Sequence, residues 1–155
     1  MKLANEFGWN EPAHIRAFPL EDDNRSLSSC APESVSQPYY EAVHAESPGL
    51  WEASAVMLGK SLEVVCRHFY PDSKSMFEGL NTLYAKGFLS KRMLDWGHDV
   101  RVLRNAAAHR RELAITESDV SVAFDFCRAL IVILFEIDHN YAVYRQAKSK
   151  HETNE

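Results

Sequence analysis

Cysteine is scarce in this chain and shows no pairing pattern: Cys30, Cys66 and Cys127 lie far apart, with no C-x-x-C among them. An odd number at such spacing supports neither a zinc ribbon nor a disulfide framework. Cys66 and Cys127 fall in apolar helical stripes and are expected as buried thiols, with a reducing cytoplasm as the compartment. Breakers are equally few, 6 Gly and 6 Pro in 155 residues, and the last proline is Pro71. The C-terminal half is therefore expected to be helical. The longest apolar run, 129–135, is far too short to span a bilayer, so no membrane partner is expected. Met1 to Asn10 lacks the apolar core of a signal peptide. There is no glycine-rich phosphate loop, no G-x-S-x-G elbow, no internal repeat and no strand-rich segment. Those absences exclude a P-loop nucleotidase and an α/β serine hydrolase. An excess of basic residues is missing too. The formal net charge of −5 argues against broad, non-specific nucleic-acid binding.

What is present reads as one all-α domain. Apolar residues make up 46% and charged residues 25%, the mixture of a soluble globular protein long enough to bury a core. Residues 1–31 are weakly patterned and read as an irregular N-terminal arm, with an acidic surface turn at Glu21–Ser26 and an extended piece at Ile15–Leu20. Residues 32–148 carry the helical pattern, and 149–155 read as a charged, frayed tail. Pro38 marks the first turn of a helix to about Ala45, and Ser47-Pro48-Gly49 breaks it. Helical spacing of apolar residues then predicts Leu50–Phe69 and Ser75–Ala85, the latter stopped by Gly87. Ser90 caps a fourth helix. Thr116-Glu117-Ser118-Asp119 opens a fifth in the manner of a capping box, with Asp in place of Glu. Val120, Phe124, Cys127, Ile131, Leu134, Ile137 and Tyr141 recur along it, predicting a long spine from Glu117 to about Ala147. The expected fold is an up-and-down bundle of four to five helices.

Polar chemistry concentrates near the end of the fourth helix, in Arg104-Asn105-Ala106-Ala107-Ala108-His109. Alanine is the smallest good helix former, so three in a row permit the close approach of another helix. At about 100° per residue, Trp96, Val100, Leu103 and Ala107 share one side, and His98, Arg101, Asn105 and His109 the other. Arg104 lies at the edge of the buried side, roughly 140° round from His109. The two converge if the helix ends before His109, or if each meets its counterpart from a second chain. Arg101, Arg104, Arg110 and Arg111 crowd this stretch, making a local basic site on an acidic body, suited to a phosphate-bearing ligand. The plain alternative is that arginine and histidine in a last helical turn only answer the dipole and its unbonded carbonyls.

Other clusters are weaker. Asp95, His98 and Asp99 share a helical face, but no second pair answers them for a metal, and no metal or other cofactor is expected. His68, beside Arg67, reads as a helix-end dipole partner.

Val100-Arg-Val-Leu-Arg-Asn-Ala-Ala-Ala-His109 resembles the HEPN superfamily of helical-bundle domains, in particular a bacterial branch associated with restriction and defence proteins. The likeness spans about Pro32 to Tyr144 and includes Pro32-Glu-Ser-Val35, Tyr40-Glu-Ala42 and Leu62-Glu63. Arg104, Asn105 and His109 match its arginine, polar residue and histidine. Relatives with a zinc ribbon ahead of the bundle carry paired cysteines, and Cys30 alone does not supply one. The resemblance implies a metal-independent endoribonuclease site at a homodimer interface, in defence or toxin biology, with an antitoxin or other protein as a further partner. His109 would transfer protons, since an ordinary imidazole titrates near neutrality. Arg104 would brace phosphate charge, Asn105 would orient His109 or a phosphate oxygen, and Arg101, Arg110, Arg111 and His98 would hold RNA phosphates. Two other readings stay open: a non-catalytic helical dimerisation or docking module, and a nucleotide-binding domain using the same cluster.

Overall fold

In the computed structural model, residues 25–27, 29–109 and 114–152 are described, with side chains described through Ser149. Five helices pack together and no strand occurs among these residues: α1 Glu33–Glu46, α2 Trp51–Phe69, α3 Met76–Ala85, α4 Lys91–Ala108 and α5 Glu117–Ile131. A π-helical segment, Val132–Ile137, joins α5 to a sixth helix, α6, Asp138–Glu152. The all-α bundle is as the sequence predicts. The acidic turn's first four residues, the extended piece at Ile15–Leu20 and residues 153–155 lie outside the described residues.

The helix ends follow local chemistry. The Ser75 hydroxyl accepts the Glu78 N–H and starts α3, the Ser90 hydroxyl accepts the Met93 N–H and starts α4, and Gly87 at φ 83° follows α3. Thr116 and Asp119 form a reciprocal capping box, the Thr116 N–H donating to Asp119 Oδ2 at 2.9 Å. The Thr116 hydroxyl also donates to Asp119 Oδ2, at 2.7 Å, and this bond and then the backbone one hold the Asp119 carboxyl below the usual carboxylate range.

Three expectations need correction. The first helix begins at Glu33, not at Pro38, which sits inside it. Proline needs no N–H in a first turn, and here the chain tolerates its loss one turn deeper. Second, the spine is α2 rather than the long C-terminal helix. Helix α2 alone touches α1, α3, α4 and α5. Small residues widen its buried face: Ser54, Ala55, Gly59 and Ser61 lie among Leu58, Leu62, Val65 and Cys66. The two buried serines bond carbonyls of α1, Ser54 Oγ to Ala42 O at 2.9 Å and Ser61 Oγ to Val35 O at 3.2 Å. Third, the apolar stripe of the last helix outruns the core. Val120, Phe124, Cys127, Ile131 and Leu134 are buried, but Ile137 is 54% and Tyr141 62% exposed. A helical run from Glu117 to Glu152 is about 54 Å long, nearly twice α2, so its second half leaves the body behind.

The described part of the N-terminal arm lies against the bundle. Arg25 bonds Glu46 of α1 at 2.9 Å and stacks 4.2 Å over the Phe124 ring of α5. The Leu27 N–H donates to Tyr40 Oη at 2.9 Å.

Candidate functional site

Helices α2, α3 and α4 meet around a cleft of about 220 Å³. Its walls carry Glu63 and Arg67 from α2, Lys74 to Phe77 from the start of α3, and Arg101, Arg104 and Asn105 from α4. Four cations face one carboxylate, on a chain whose net charge is −5. The positive end of the α3 dipole opens on the same space. A larger apolar groove of about 460 Å³ lies between α4 and α5, but its titratable residues are Asp99 and Asp119, which repel anions. Charge therefore singles out the first cleft.

Arg104 is fixed there by close helix packing. A Cβ built on Gly59 of α2 would stand 2.1 Å from Arg104 Cγ and 2.7 Å from its Cβ, so only glycine lets the arginine stem cross. The close approach thus falls at Gly59 and Arg104, two residues before the alanine run. The guanidinium donates to Glu63 Oε1 at 2.9 Å and to Asn105 Oδ1 at 3.1 Å. Both ion-pair partners keep roughly 30% exposure (30% and 27%), so the pair is worth at most about 1 kcal/mol and its effect is positional. The Nε–H groups of Arg101 and Arg104 are buried and find no acceptor among the described residues. A ligand oxyanion would answer donors of this kind.

Phe77 lines the cleft and is 54% exposed. Two α4 side chains support it: the His98 ring stacks at 4.9 Å with a 29° interplanar angle, and the Arg101 guanidinium lies 5.5 Å from the centroid. Asn81 Nδ2 bonds the Phe77 carbonyl at 2.7 Å and reaches His98 Nε2 at 3.5 Å. Burial, then the Arg101 charge, pushes the His98 pKa down, so the ring stacks as neutral imidazole. Cys66 also lines the cleft, but burial, then the Glu63 charge, pushes its thiol up to about 12. It stays protonated at neutral pH and offers no thiolate nucleophile.

The predicted site residues divide. Arg101, Arg104 and Asn105 line the cleft together; His98 acts from beneath Phe77. Helix α4 ends at Ala108, and His109 is its exposed C-cap at φ −103°, ψ 9°, its N–H bonded to Asn105 O at 3.1 Å. It is not among the lining residues. Arg110 and Arg111 lie outside the described residues. No group of three or more metal-ligating side chains occurs among the described residues. His68 is exposed and packs edge-on against Phe69 and Phe135. Sequence reasoning assigned no role in the site to Glu63, Arg67, Lys74 or Phe77. Their sole signal is residue type, because folding, not spacing, brings them to Arg104.

A family model for a domain of unknown function, DUF4145, matches residues 41–153. The chain belongs to this family. The match takes in every residue that lines the cleft and also the exposed His109, so the site is part of the DUF4145 domain proper. No curated protein and no solved structure matches. No described helix is long and apolar enough to cross a membrane.

Proposed function

We propose that this DUF4145 domain is HEPN-like and cleaves RNA without a metal, binding a phosphodiester at the Arg104 cleft and moving protons with His109. One observation carries the reading: an arginine pre-positioned by Glu63 and Asn105 in a cleft with three further cations, five residues before an exposed histidine. A guanidinium held in place before the reaction stabilises developing phosphate charge without the cost of reorganising. In the step itself the ribose 2′-oxygen forms a bond to the adjacent phosphorus and gives its proton to the His109 imidazole. The 5′-oxygen leaves with its electron pair and takes a proton from water. The products are a 2′,3′-cyclic phosphate and a 5′-hydroxyl. The protein acts as a homodimer in this reading, with a second imidazole beside the first, and defence or toxin function is the setting the HEPN likeness suggests.

A second reading, nucleotide binding without cleavage, is favoured by the place of His109 outside the cleft lining. Purified parent, Arg104→Ala and His109→Ala chains incubated with a mixed RNA pool in EDTA separate the two. Cleavage by the parent, lost by at least about 10²-fold in each variant, supports catalysis. RNA binding by the parent and His109→Ala chains that weakens in Arg104→Ala, with no cleavage by any of the three, supports the second reading.

A further inference from the structure

We infer that the outer face of Phe77 is a stacking platform for one unpaired base, with a neighbouring phosphate seated between Arg67, Lys74 and Arg101. The substrate class that follows is single-stranded RNA. The identity of the ligand as RNA rests on the reading above; the platform and its cations rest on geometry alone. His98 and Arg101 both approach Phe77 from α4, so the side of the ring turned away from α4 is the one left to solvent. Asn81, which donates to the Phe77 carbonyl, also reaches His98 Nε2 and so helps hold the imidazole against the ring. An exposed, braced aromatic beside a cationic groove is the arrangement by which proteins hold single strands, since every base has a π-face to stack.

Size and charge narrow the ligand. At about 220 Å³ the cleft is smaller than the roughly 300–1,000 Å³ of sites that enclose a whole small molecule. It has room for a phosphate and its ribose, leaving the base outside, where Phe77 stands. A duplex keeps its bases stacked on one another and offers none to the ring. The acidic body also denies a long duplex the continuous basic surface it needs, whereas one local cluster serves a few nucleotides.

The test uses the His109→Ala chain, which leaves RNA intact, and fluorescence anisotropy with a short unstructured 5′-fluorescein RNA and with the same sequence in duplex. Phe77→Ala in that background is expected to weaken strand binding roughly 5- to 150-fold, and Phe77→Tyr to restore it. Arg67→Ala and Lys74→Ala should each flatten the slope of log affinity against log salt by about 0.7. The duplex should bind less tightly and be indifferent to Phe77→Ala. Unchanged strand affinity in Phe77→Ala, with melting temperature also unchanged, overturns the platform, as does a failure of the parent background to bind the strand. Unchanged affinity with loss of dimer in light scattering also overturns it and makes the ring a contact between copies. Cleavage by the otherwise unaltered chain is scored separately. Normal cleavage with an indifferent Phe77 rejects the platform and spares the endonuclease; Phe77-dependent binding with no cleavage does the reverse.

Discussion

Replacing Gly59 by alanine measures how closely α2 and α4 pack, and through that whether Arg104 is held or merely near. Alanine in a helix interior is favoured over glycine by about 1 kcal/mol. Against this, the new methyl would meet Arg104 Cγ at 2.1 Å, Cβ at 2.7 Å and Cδ at 3.1 Å. Overpacking of this kind costs typically about 1–3 kcal/mol. The net expectation is a loss of about 0–2 kcal/mol, together with displacement of the guanidinium from Glu63. The single variant alone is therefore a weak test, because its two effects oppose. The double-mutant cycle is the strong one. In an Arg104→Ala background the 2.1 Å and 3.1 Å contacts vanish, but the 2.7 Å contact to Cβ remains, and relieving it requires α2 and α4 to move apart. Gly59→Ala should there cost less than it does beside the intact arginine, giving a coupling energy of about 1 kcal/mol. Urea titrations of the four chains by far-UV circular dichroism, with unchanged m-values, supply the free energies. Additivity within about 0.3–0.5 kcal/mol would refute the close approach and with it the claim that Arg104 is pre-positioned.

Leu134→Ala, in the π-helical segment and 3% exposed, should cost about 2–5 kcal/mol; a loss below about 0.5 kcal/mol in denaturant would show that this face does not carry the core. Asp119 has its folded-state pKa depressed by Thr116, so its stabilisation is present above the unfolded value of about 3.9 and lost as pH falls through the lower folded value. Urea midpoints followed from neutral pH into that range should fall less steeply for Asp119→Asn than for the parent, and parallel curves would contradict the box. Cys66 and Cys127 have thiols raised by burial, so at pH 8 they should resist iodoacetamide until the chain unfolds. Mass spectrometry that finds either alkylated in the folded protein would contradict that burial.

Much of the fold was legible because its signals are local. Ser75, Ser90, Thr116 and Asp119 cap helices through bonds within one turn, and Gly87 supplies its positive φ from its own backbone. Periodicity placed Val120, Phe124, Cys127 and Ile131 in the core for the same reason. The stripe failed at Ile137 and Tyr141 because apolar spacing says which face a helix presents, not whether a neighbour remains to cover it. Pro38 misled because a proline tolerated one turn into a helix looks like one at its start. Of the site, Arg101, Arg104 and Asn105 were visible as consecutive turns of one helix. Glu63 is 41 positions from Arg104, and Arg67, Lys74 and Phe77 belong to other helices or their ends, so only packing against α2 reveals them. That packing depends on Gly59, whose role cannot be read without knowing what crosses it.

The central claim is that the Arg104 cleft and His109 promote attack by a ribose 2′-hydroxyl on its own phosphodiester. The most direct measurement is mass spectrometry of the end groups left when the purified protein, in EDTA, cuts a defined single-stranded RNA. The account predicts 2′,3′-cyclic phosphate and 5′-hydroxyl ends, and no cut where the nucleotide at that position lacks its 2′-hydroxyl. Products with 5′-phosphate ends, or equal cutting by His109→Ala, would contradict it.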